Sequence, residues 1–188
     1  MRFVRLKFKD VILIKPLNFN DKRGYFSEVY RKDKLDYFLK KKINFCQENK
    51  SFSNKNVFRG LHYQKPPFAQ SKLVTVLSGS IIDIILDIRI NSPNFGKTLI
   101  IELDGKNNNQ LFIPRGFAHG FVTLSDSAEI SYKVDNFYSK EHEMSINVKD
   151  PRLKLDLDFE NIIINKKDFE APDLNESYTF DYNLNYYD

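Results

Sequence analysis

The segment Ser80–Arg89, SIIDIILDIR, alternates apolar and charged side chains and decides the fold class of this chain. Successive side chains of a β-strand point to opposite faces of a sheet, so a period of two marks a strand with one apolar face. Ile82 and Ile84 share one face with the apolar residues that follow, while Asp83 and Asp87 share the other. We therefore predict a half-buried strand.

The same alternation recurs in residues 98–103 and 128–135. Residues rich in Gly, Asn, Asp, Ser and Pro separate such segments at 77–80, 91–94 and 104–107. Short strands at intervals of roughly 8–12 residues with turn signals between them are typical of an all-β sandwich or barrel. The sequence therefore predicts an all-β fold.

Length and composition limit the possible classes of protein. A chain of 188 residues is the size of one domain, and we expect a single domain over residues 1–188. The net charge of +4 is spread along the chain with no basic block beyond Lys40–Lys42, so we expect no nucleic-acid partner. No apolar run is long enough to span a membrane, and charges interrupt the N-terminal residues, which argues against a signal peptide. Cys46 is the only cysteine, which suits a reducing, cytoplasmic location.

Two regions depart from the strand pattern. Leu35, Phe38 and Leu39 have helical spacing, and Asp33 precedes them as a candidate N-cap, so we predict a short peripheral helix. From about residue 151 the alternation fades into charged and Asn-rich sequence. We expect this C-terminal tail to consist of short helices and loops packed on the barrel.

His62 lies in RGLHYQ, residues 59–64, between segments that favour strand. A lone strand histidine is more often structural than functional, but a metal ligand and a catalytic base are open alternatives. In a straight strand Arg59 and His62 would point to opposite faces. Gly60 is therefore a candidate β-bulge, of the kind that re-aims side chains beside active sites.

His119 lies in IPRGFAHGF, residues 113–121, whose Pro-x-Gly-x-x-His spacing resembles the second motif of cupin barrels. Metal-binding cupins supply further ligands from an earlier His-x-His segment, where this chain has only His62. Two imidazoles fall short of the three protein ligands usual in catalytic zinc sites. We therefore predict no metal, and no redox cofactor either, because a Gly-x-Gly-x-x-Gly fingerprint is absent.

The ordered set of motifs resembles the dTDP-4-dehydrorhamnose 3,5-epimerase family, from about Asp10 to Leu174. This resemblance implies a cupin-type β-barrel, or jelly roll, with short peripheral helices. In chain order the motifs are DKRGYFSE (21–28), QEN (47–49), RGLHYQ (59–64), KLV (72–74), DIR (87–89), SPNFG (92–96), IPRGFAHGF (113–121) and YK (132–133).

The resemblance also implies roles for individual residues. His62 matches the proton acceptor, Asp168 the carboxylate that orients it, and Tyr132 the proton donor. Lys72 matches the lysine near the keto oxygen of the sugar, and Tyr138 matches an aromatic residue that stacks on the substrate. The positions that match contacts with the nucleotide sugar are Arg23, Glu28, Gln47, Glu48, Asn49, Arg59, Lys72, His119, Tyr138, Glu143 and Lys167.

A homodimer is implied as well, because in the family the equivalent of Arg23 comes from the neighbouring subunit. The chain departs from the family in having no tryptophan; Phe112 stands where one is usual, and Glu48 replaces the central residue of a Gln-Asp-Asn pattern. These departures concern the sugar and the nucleotide, whereas the expected acid, base and lysine are all present.

The implied activity is the inversion of C3 and C5 in a nucleotide-linked 4-keto-6-deoxy sugar, in the synthesis of surface polysaccharide. One alternative is an epimerase that inverts a single carbon of a GDP-linked or other nucleotide-linked 4-keto hexose or heptose. Another is 3,4-ketoisomerase chemistry. A cupin that only binds sugar nucleotides would need no base, acid and lysine together, so their joint presence favours an enzyme.

Overall fold

The computed structural model of the chain describes residues 1–187 and consists mainly of β-strands. The strands are β1 (Arg2–Arg5), β2 (Ile12–Lys15), β3 (Asn18–Asp21), β4 (Gly24–Ser27), β5 (Gln47–Asn54), β6 (Phe58–Gln64), β7 (Lys72–Ser78), β8 (Ser80–Asp87), β9 (Arg89–Ile90), β10 (Thr98–Asp104), β11 (Gln110–Ile113), β12 (Phe117–Thr123), β13 (Ser127–Val134), β14 (Glu143–Ser145) and β15 (Phe180–Asp181). The helices are α1 (Lys32–Leu39) and α2 (Lys166–Phe169), with 3₁₀ turns at Pro151–Leu153 and Leu174–Glu176.

Two antiparallel sheets form the body of the protein. One has six strands in the order β1-β2-β11-β7-β13-β5, and the other has five in the order β10-β8-β12-β6-β14. Most neighbours in each sheet are distant in sequence, which is the connectivity of a jelly roll. Separately, β3 and β4 form a hairpin, and β15 pairs in parallel with β9.

The main core lies between the two sheets. Val74 and Val76 on β7 meet Ile81 and Ile85 on β8 and Phe121 on β12 in one cluster of buried side chains. Each fully buried side chain of this size contributes about 1.5–3 kcal/mol to the free energy of folding. The predicted all-β jelly roll is confirmed; within residues 1–187 the two facing sheets are not hydrogen-bonded into one closed barrel.

The strand β8 is buried on both faces, so the prediction of a half-buried strand is wrong. Asp83 and Asp87 are completely buried. Each carboxylate has a cation or an imidazole as a partner: Asp87 pairs with Arg89, and Oδ2 of Asp83 with His119, while Oδ1 of Asp83 is buried without a hydrogen bond from any of residues 1–187. On the other face, Ile84 belongs to a second core cluster beneath the C-terminal tail. The alternation of apolar and charged residues in β8 therefore separates two buried faces, and not a buried face from an exposed one.

The C-terminal tail covers the outer face of the five-stranded sheet. Ile146, Val148, Leu153 and Phe180 are buried against side chains of β6, β8 and β12. The tail therefore shields from water the sheet that carries most of the motif residues.

The helix α1 covers part of the outer face of the six-stranded sheet, where Leu35 packs with Ile12 and Phe112. It begins at Lys32, so the prediction that Asp33 caps it is wrong; Asp33 lies in the first turn and accepts hydrogen bonds from Arg31. Within residues 1–187 no helix is both long and apolar enough to cross a membrane.

A β-bulge interrupts the pairing of β6 with β12, as predicted at Gly60. His62 pairs with His119 and Arg59 pairs with Phe121, so two residues of β6 oppose one residue of β12. As a result Arg59 and His62, three positions apart, both line the same cavity.

The bulge depends on glycine for two reasons. Gly60 has a φ of +138°, which side chains disfavour, and a Cβ there would lie 2.5 Å from the Cα of Gly120. Both the conformation and the close approach of the backbones therefore exclude larger residues.

We expect Gly60→Ala to destabilise the protein more than Gly24→Ala. Gly24 has a similar φ of +128°, but a Cβ added there would have no atom within 4 Å, so its substitution introduces only backbone strain, about 1–2 kcal/mol. Overpacking against Gly120 adds about 1–3 kcal/mol at Gly60. Equilibrium urea unfolding measures both losses. Equal losses in the two variants would show that the close approach contributes nothing.

Candidate active site

One cavity of about 410 Å³ opens between the two large sheets. Its size is that of a pocket for a small ligand. Six strands and the loops beside them supply its walls. The lining residues are Gln47, Asn49, Ser51, Arg59, His62, Tyr63, Gln64, Gln70, Lys72, His119, Phe121, Ile130, Tyr132, Tyr138 and Glu143.

His62, which lines this cavity, is hydrogen-bonded to a buried carboxylate behind it. The Nε2 atom of His62 lies 2.7 Å from Oδ1 of Asp168. Asp168 is fully buried, whereas the His62 side chain retains 33% of its exposure and can reach a ligand. An ionised carboxylate only accepts hydrogen bonds, so we assign the proton to Nε2, which leaves Nδ1 of His62 as an acceptor.

Asp168 is held by both the bulge and its own helix. Its Oδ2 accepts hydrogen bonds from the backbone N–H of Gly60 at 3.3 Å and from Nδ2 of Asn165 at 3.1 Å. Asn165 is the N-cap of α2, and its Oδ1 accepts the backbone N–H of Asp168 at 2.8 Å. The tail thus places the carboxylate of Asp168 beside β6, where both of its oxygens accept hydrogen bonds.

Lys72 lies at the start of β7, and its Nζ donates to the backbone carbonyl of His62 at 2.9 Å. Burial lowers the pKa of Lys72 to about 8, while the carboxylates of Asp83 and Glu143 act in the opposite direction. Lys72 carries its charge below that pKa, so it is cationic at neutral pH.

His119 forms a second imidazole–carboxylate pair, with its Nε2 2.9 Å from Oδ2 of Asp83. His119 stands directly across from His62 in the pairing of β12 with β6. Burial lowers the pKa of His119, although Asp83 acts in the opposite direction. A neutral His119 that donates Nε2–H to Asp83 keeps Nδ1 as an acceptor for a ligand hydroxyl, and it adds no second buried positive charge beside Lys72.

Tyr132 enters the cavity from β13, in the sheet opposite to that of His62. Burial raises the pKa of Tyr132, so its phenol keeps its proton at neutral pH. A protonated phenol facing a histidine base is an arrangement suited to donating a proton.

The three residues of β5 that were predicted to contact the substrate point to two different faces of the strand. Gln47 and Asn49 line the cavity. Glu48 points to the opposite face of the sheet, where it pairs with Lys133 and accepts a hydrogen bond from Ser131. The structure therefore does not bring Glu48 to the cavity.

A second group of predicted residues meets at the cavity mouth. The hydroxyl of Tyr138 donates to Oε2 of Glu143 at 3.1 Å. Lys167, next to Asp168, forms an ion pair with the same carboxylate oxygen. This group places an aromatic ring and a lysine at the exposed end of the cavity.

Two predicted residues lie away from the cavity of their own chain. Arg23 is at the tip of the β3–β4 hairpin and pairs with Asp21. Glu28 pairs with Arg31 and Lys34. The structure does not bring either residue to the other predicted ones.

Several lining residues lie outside the predicted set, notably Gln64, Gln70, Phe121 and Ile130. Alternation alone predicts Asp83 only as part of a polar strand face, whereas the structure shows that it positions His119. A carboxylate that recurs within a strongly apolar run is a signal of a buried ion pair, and Asp83 fits that pattern. Within residues 1–187 no group of three or more His, Cys, Asp or Glu side chains could hold a metal ion.

Comparisons with known proteins agree with these features. The sequence profile described as dTDP-4-dehydrorhamnose 3,5-epimerase matches residues 5–176. A dTDP-4-dehydrorhamnose 3,5-epimerase of Shigella flexneri is 42% identical over 171 residues, which is 91% of this chain and 94% of that protein.

Solved structures give the same result. The dTDP-6-deoxy-D-glucose-3,5-epimerase of Legionella pneumophila Philadelphia 1, crystallised with dTDP-4-keto-L-rhamnose, is 37% identical with a TM-score of 0.91, covering 97% of this chain and 99% of that one. A 3'-monoepimerase from Streptomyces bikiniensis in complex with dTDP-quinovose is 27% identical with a TM-score of 0.84, covering 90% of this chain and 86% of that one. The resemblance found in the sequence is confirmed: the chain belongs to the dTDP-4-dehydrorhamnose 3,5-epimerase family of isomerases.

Proposed function

We propose that the chain inverts C3 and C5 of a dTDP-linked 4-keto-6-deoxy hexose without a cofactor, in the synthesis of deoxysugars for surface polysaccharide. The observation that carries this proposal is the placement of the His62–Asp168 pair and Tyr132 on opposite sheets of one cavity. A nucleotide-sugar substrate and a single cysteine fit a cytoplasmic location.

The keto group at C4 determines the chemistry. C3 and C5 both adjoin this carbonyl, so removal of a proton from either carbon gives an enolate with its charge on the C4 oxygen. Nδ1 of His62 accepts that proton, because a neutral imidazole bonded to Asp168 through Nε2 has one free basic nitrogen. Asp168 fixes the ring and stabilises the imidazolium that forms, as its buried carboxylate cannot turn away from Nε2.

Lys72 stabilises the enolate. Its ammonium is buried beside the backbone of His62, and a positive charge in such a site interacts more strongly with an oxyanion than with a neutral ketone. The interaction therefore lowers the barrier to proton removal instead of only tightening substrate binding.

Inversion requires that the proton returns to the opposite face of the sugar ring. Tyr132 approaches from the sheet that faces His62, and its phenol is protonated. The carbon thus loses its proton to His62 on one sheet and receives a proton from Tyr132 on the other.

Several of the other predicted residues that line the cavity are suited to binding the nucleotide. Arg59 lines the cavity with a guanidinium held by Ser53 Oγ and the carbonyl of Phe52, an arrangement suited to a diphosphate. Tyr138 at the mouth stacks on a planar base, and Gln47 and Asn49 offer it hydrogen bonds.

A second candidate is inversion of one carbon only, and the similarity to the 3'-monoepimerase favours it. The two reactions share the base and the enolate. They differ in whether the ring can turn so that both carbons reach His62 and Tyr132.

The proposal is tested by incubating the protein with a dTDP-linked 4-keto-6-deoxy sugar in D₂O and following deuterium by NMR. We expect deuterium at both C3 and C5.

His62→Asn abolishes this exchange while dTDP still binds, because the base is lost and the walls of the cavity remain. Tyr132→Phe slows inversion by at least about tenfold more than exchange, because return from the opposite face fails while His62 still removes a proton and returns a deuteron to the same face.

Entry of deuterium at one carbon would establish the second candidate. An active His62→Asn variant would remove His62 as the base. Equal losses of inversion and exchange in Tyr132→Phe would contradict the donor role.

We also propose a homodimer in which the β3–β4 hairpin reaches the cavity of the partner. Among residues 1–187 the strands of the hairpin pair only with each other, and Phe19 and Phe26 on it are 60% and 70% exposed. Exposed aromatic residues of this kind mark interaction surfaces. Arg23 at the hairpin tip then supplies a cation to the partner's diphosphate.

Mixed dimers test this arrangement. Arg23→Ala and His62→Asn are each expected to have little activity alone at subsaturating substrate. After refolding together, a hybrid dimer contains one cavity with His62 intact and Arg23 supplied by its partner, so about a quarter of the wild-type activity returns. If Arg23 acted within its own chain, the mixture would stay inactive.

A further inference from the structure

Two loops flank the outer end of the cavity, residues 65–71 and residues 135–142. They follow β6 and β13, which belong to different sheets. The second loop leads into β14, which pairs with β6, so the loops are joined at one end, where the backbone N–H of Lys65 donates to the carbonyl of His142 at 3.0 Å. Residues 136–139, around Tyr138, belong to no strand. Tyr138 lies in the second loop and Gln70 in the first, and both line the cavity. The shape of the cavity mouth therefore depends on what joins these loops.

Gln64, the last residue of RGLHYQ, joins them through its side-chain amide. Its Nε2 donates to the carbonyl of Phe68 at 2.7 Å and to the carbonyl of Phe137 at 3.1 Å. Its Oε1 accepts the backbone N–H of Ser139 at 2.6 Å. One side chain thus binds backbone groups on both loops, on each side of Tyr138.

The amide of Gln64 is well suited to this task. The residue is only 4% exposed, so water cannot replace its hydrogen bonds. Both N–H groups and the oxygen are used. A buried hydrogen-bonding group that loses its partners leaves uncompensated polar atoms on the loops, which destabilises their arrangement.

Other contacts also join the loops. At one end the backbone N–H of Ser71 donates to Oδ1 of Asp135 at 2.6 Å, and at the other end the N–H of Lys65 donates to the carbonyl of His142. Asn136 Nδ2 donates to the carbonyl of Pro67, and Gln70 Nε2 donates to the carbonyl of Asn136. The ring of His142 packs on Phe68. These contacts supplement Gln64, the single residue of β6 that reaches both loops.

Three sets of hydrogen bonds hold Tyr138 and its neighbours. Its backbone N–H donates to Oε1 of Gln47 at 3.0 Å, and its hydroxyl donates to Glu143. The backbone groups of Phe137 and Ser139 are held by Gln64. The ring can move only if one of these attachments is lost.

We infer that Gln64 is a positioning residue for nucleotide binding: it joins the two loops so that Tyr138 presents its ring at the cavity mouth before the substrate arrives. The inference rests on the proposed role of Tyr138 toward the base. Gln64 acts through the loops and not on the sugar carbons, so its loss weakens affinity and leaves proton removal by His62 in place.

Gln64→Glu tests this inference because glutamate has the same shape and keeps the acceptor for Ser139, but turns an oxygen toward two carbonyls. We expect the dissociation constant for dTDP and the KM for the dTDP-sugar to rise about tenfold, the equivalent of one or two hydrogen bonds. The kcat for deuterium entry should stay within about threefold of wild type, because no reacting group changes.

Gln110→Glu is the matched control. Gln110 is also 4% exposed and lies on a strand, but its Nε2 donates to Thr75 in the six-stranded sheet, away from both loops. We expect this variant to lower the melting temperature without changing the dissociation constant for dTDP.

Asn136→Ala provides a milder second variant, which removes a loop contact at the surface and should raise the dissociation constant by about twofold to threefold.

Amide hydrogen exchange at Ser139 reports on the loop independently of catalysis. We expect faster exchange in Gln64→Glu than in wild type and no change in Gln110→Glu. An unchanged dissociation constant for dTDP in Gln64→Glu would overturn the inference. A loss of kcat in proportion to the loss of melting temperature would overturn it as well, because it would indicate general destabilisation. If wild-type protein left substrate protons unexchanged, the proposed function would fail, while dTDP binding and Ser139 exchange would still decide the role of Gln64.

Discussion

The buried carboxylate of Asp168 is the constraint on which the arrangement of this site depends. A buried carboxylate is very unfavourable unless its oxygens are hydrogen-bonded, and leaving a buried polar group without its partner costs about 1–3 kcal/mol, more when the group is charged. Asp168 meets this requirement with His62, the backbone N–H of Gly60 and Asn165. One group therefore ties together the bulge of β6, the imidazole and the C-terminal tail.

Charge is distributed unevenly across the cavity. On the five-stranded sheet, His62 and His119 stand side by side, each backed by its own buried aspartate. Lys72 provides the buried cation, and two carboxylates nearby oppose the loss of its charge. Lys72 belongs to the six-stranded sheet, but its ammonium reaches across to the backbone carbonyl of His62. The same sheet contributes the neutral phenol of Tyr132. Under the proposed function, a negative charge that develops on the substrate would be stabilised by Lys72 beside His62, with the phenol of Tyr132 on the facing sheet.

The sequence predicted the fold class and most of the cavity, because motifs and strand alternation are local signals. Gly60 could be recognised as a bulge, since the residues around it had to reach one face. Alternation could not tell which face of β8 meets solvent, because the tail that buries Ile84 and the partners that neutralise Asp83 and Asp87 are distant in sequence.

Other parts of the site depend on placement that motifs do not encode. Glu48 shares a motif with Gln47, yet strand alternation turns it to the other face. Gln64 stood inside a recognised motif, but its bonds to two loops could be found only in three dimensions. Arg23 lies outside the cavity of its own chain, and a single chain does not reveal where a hairpin tip acts.

The position of the proton on His62 tests the central claim most directly. ¹⁵N NMR of the imidazole at neutral pH distinguishes a protonated ring nitrogen from a bare one, and the His62→Asn variant identifies the resonances. The account predicts a proton on Nε2, bonded to Asp168, and a bare Nδ1 available to the substrate. A neutral ring with its proton on Nδ1 would contradict it, because Asp168 would then have to be the protonated partner and His62 would face the sugar without a free base.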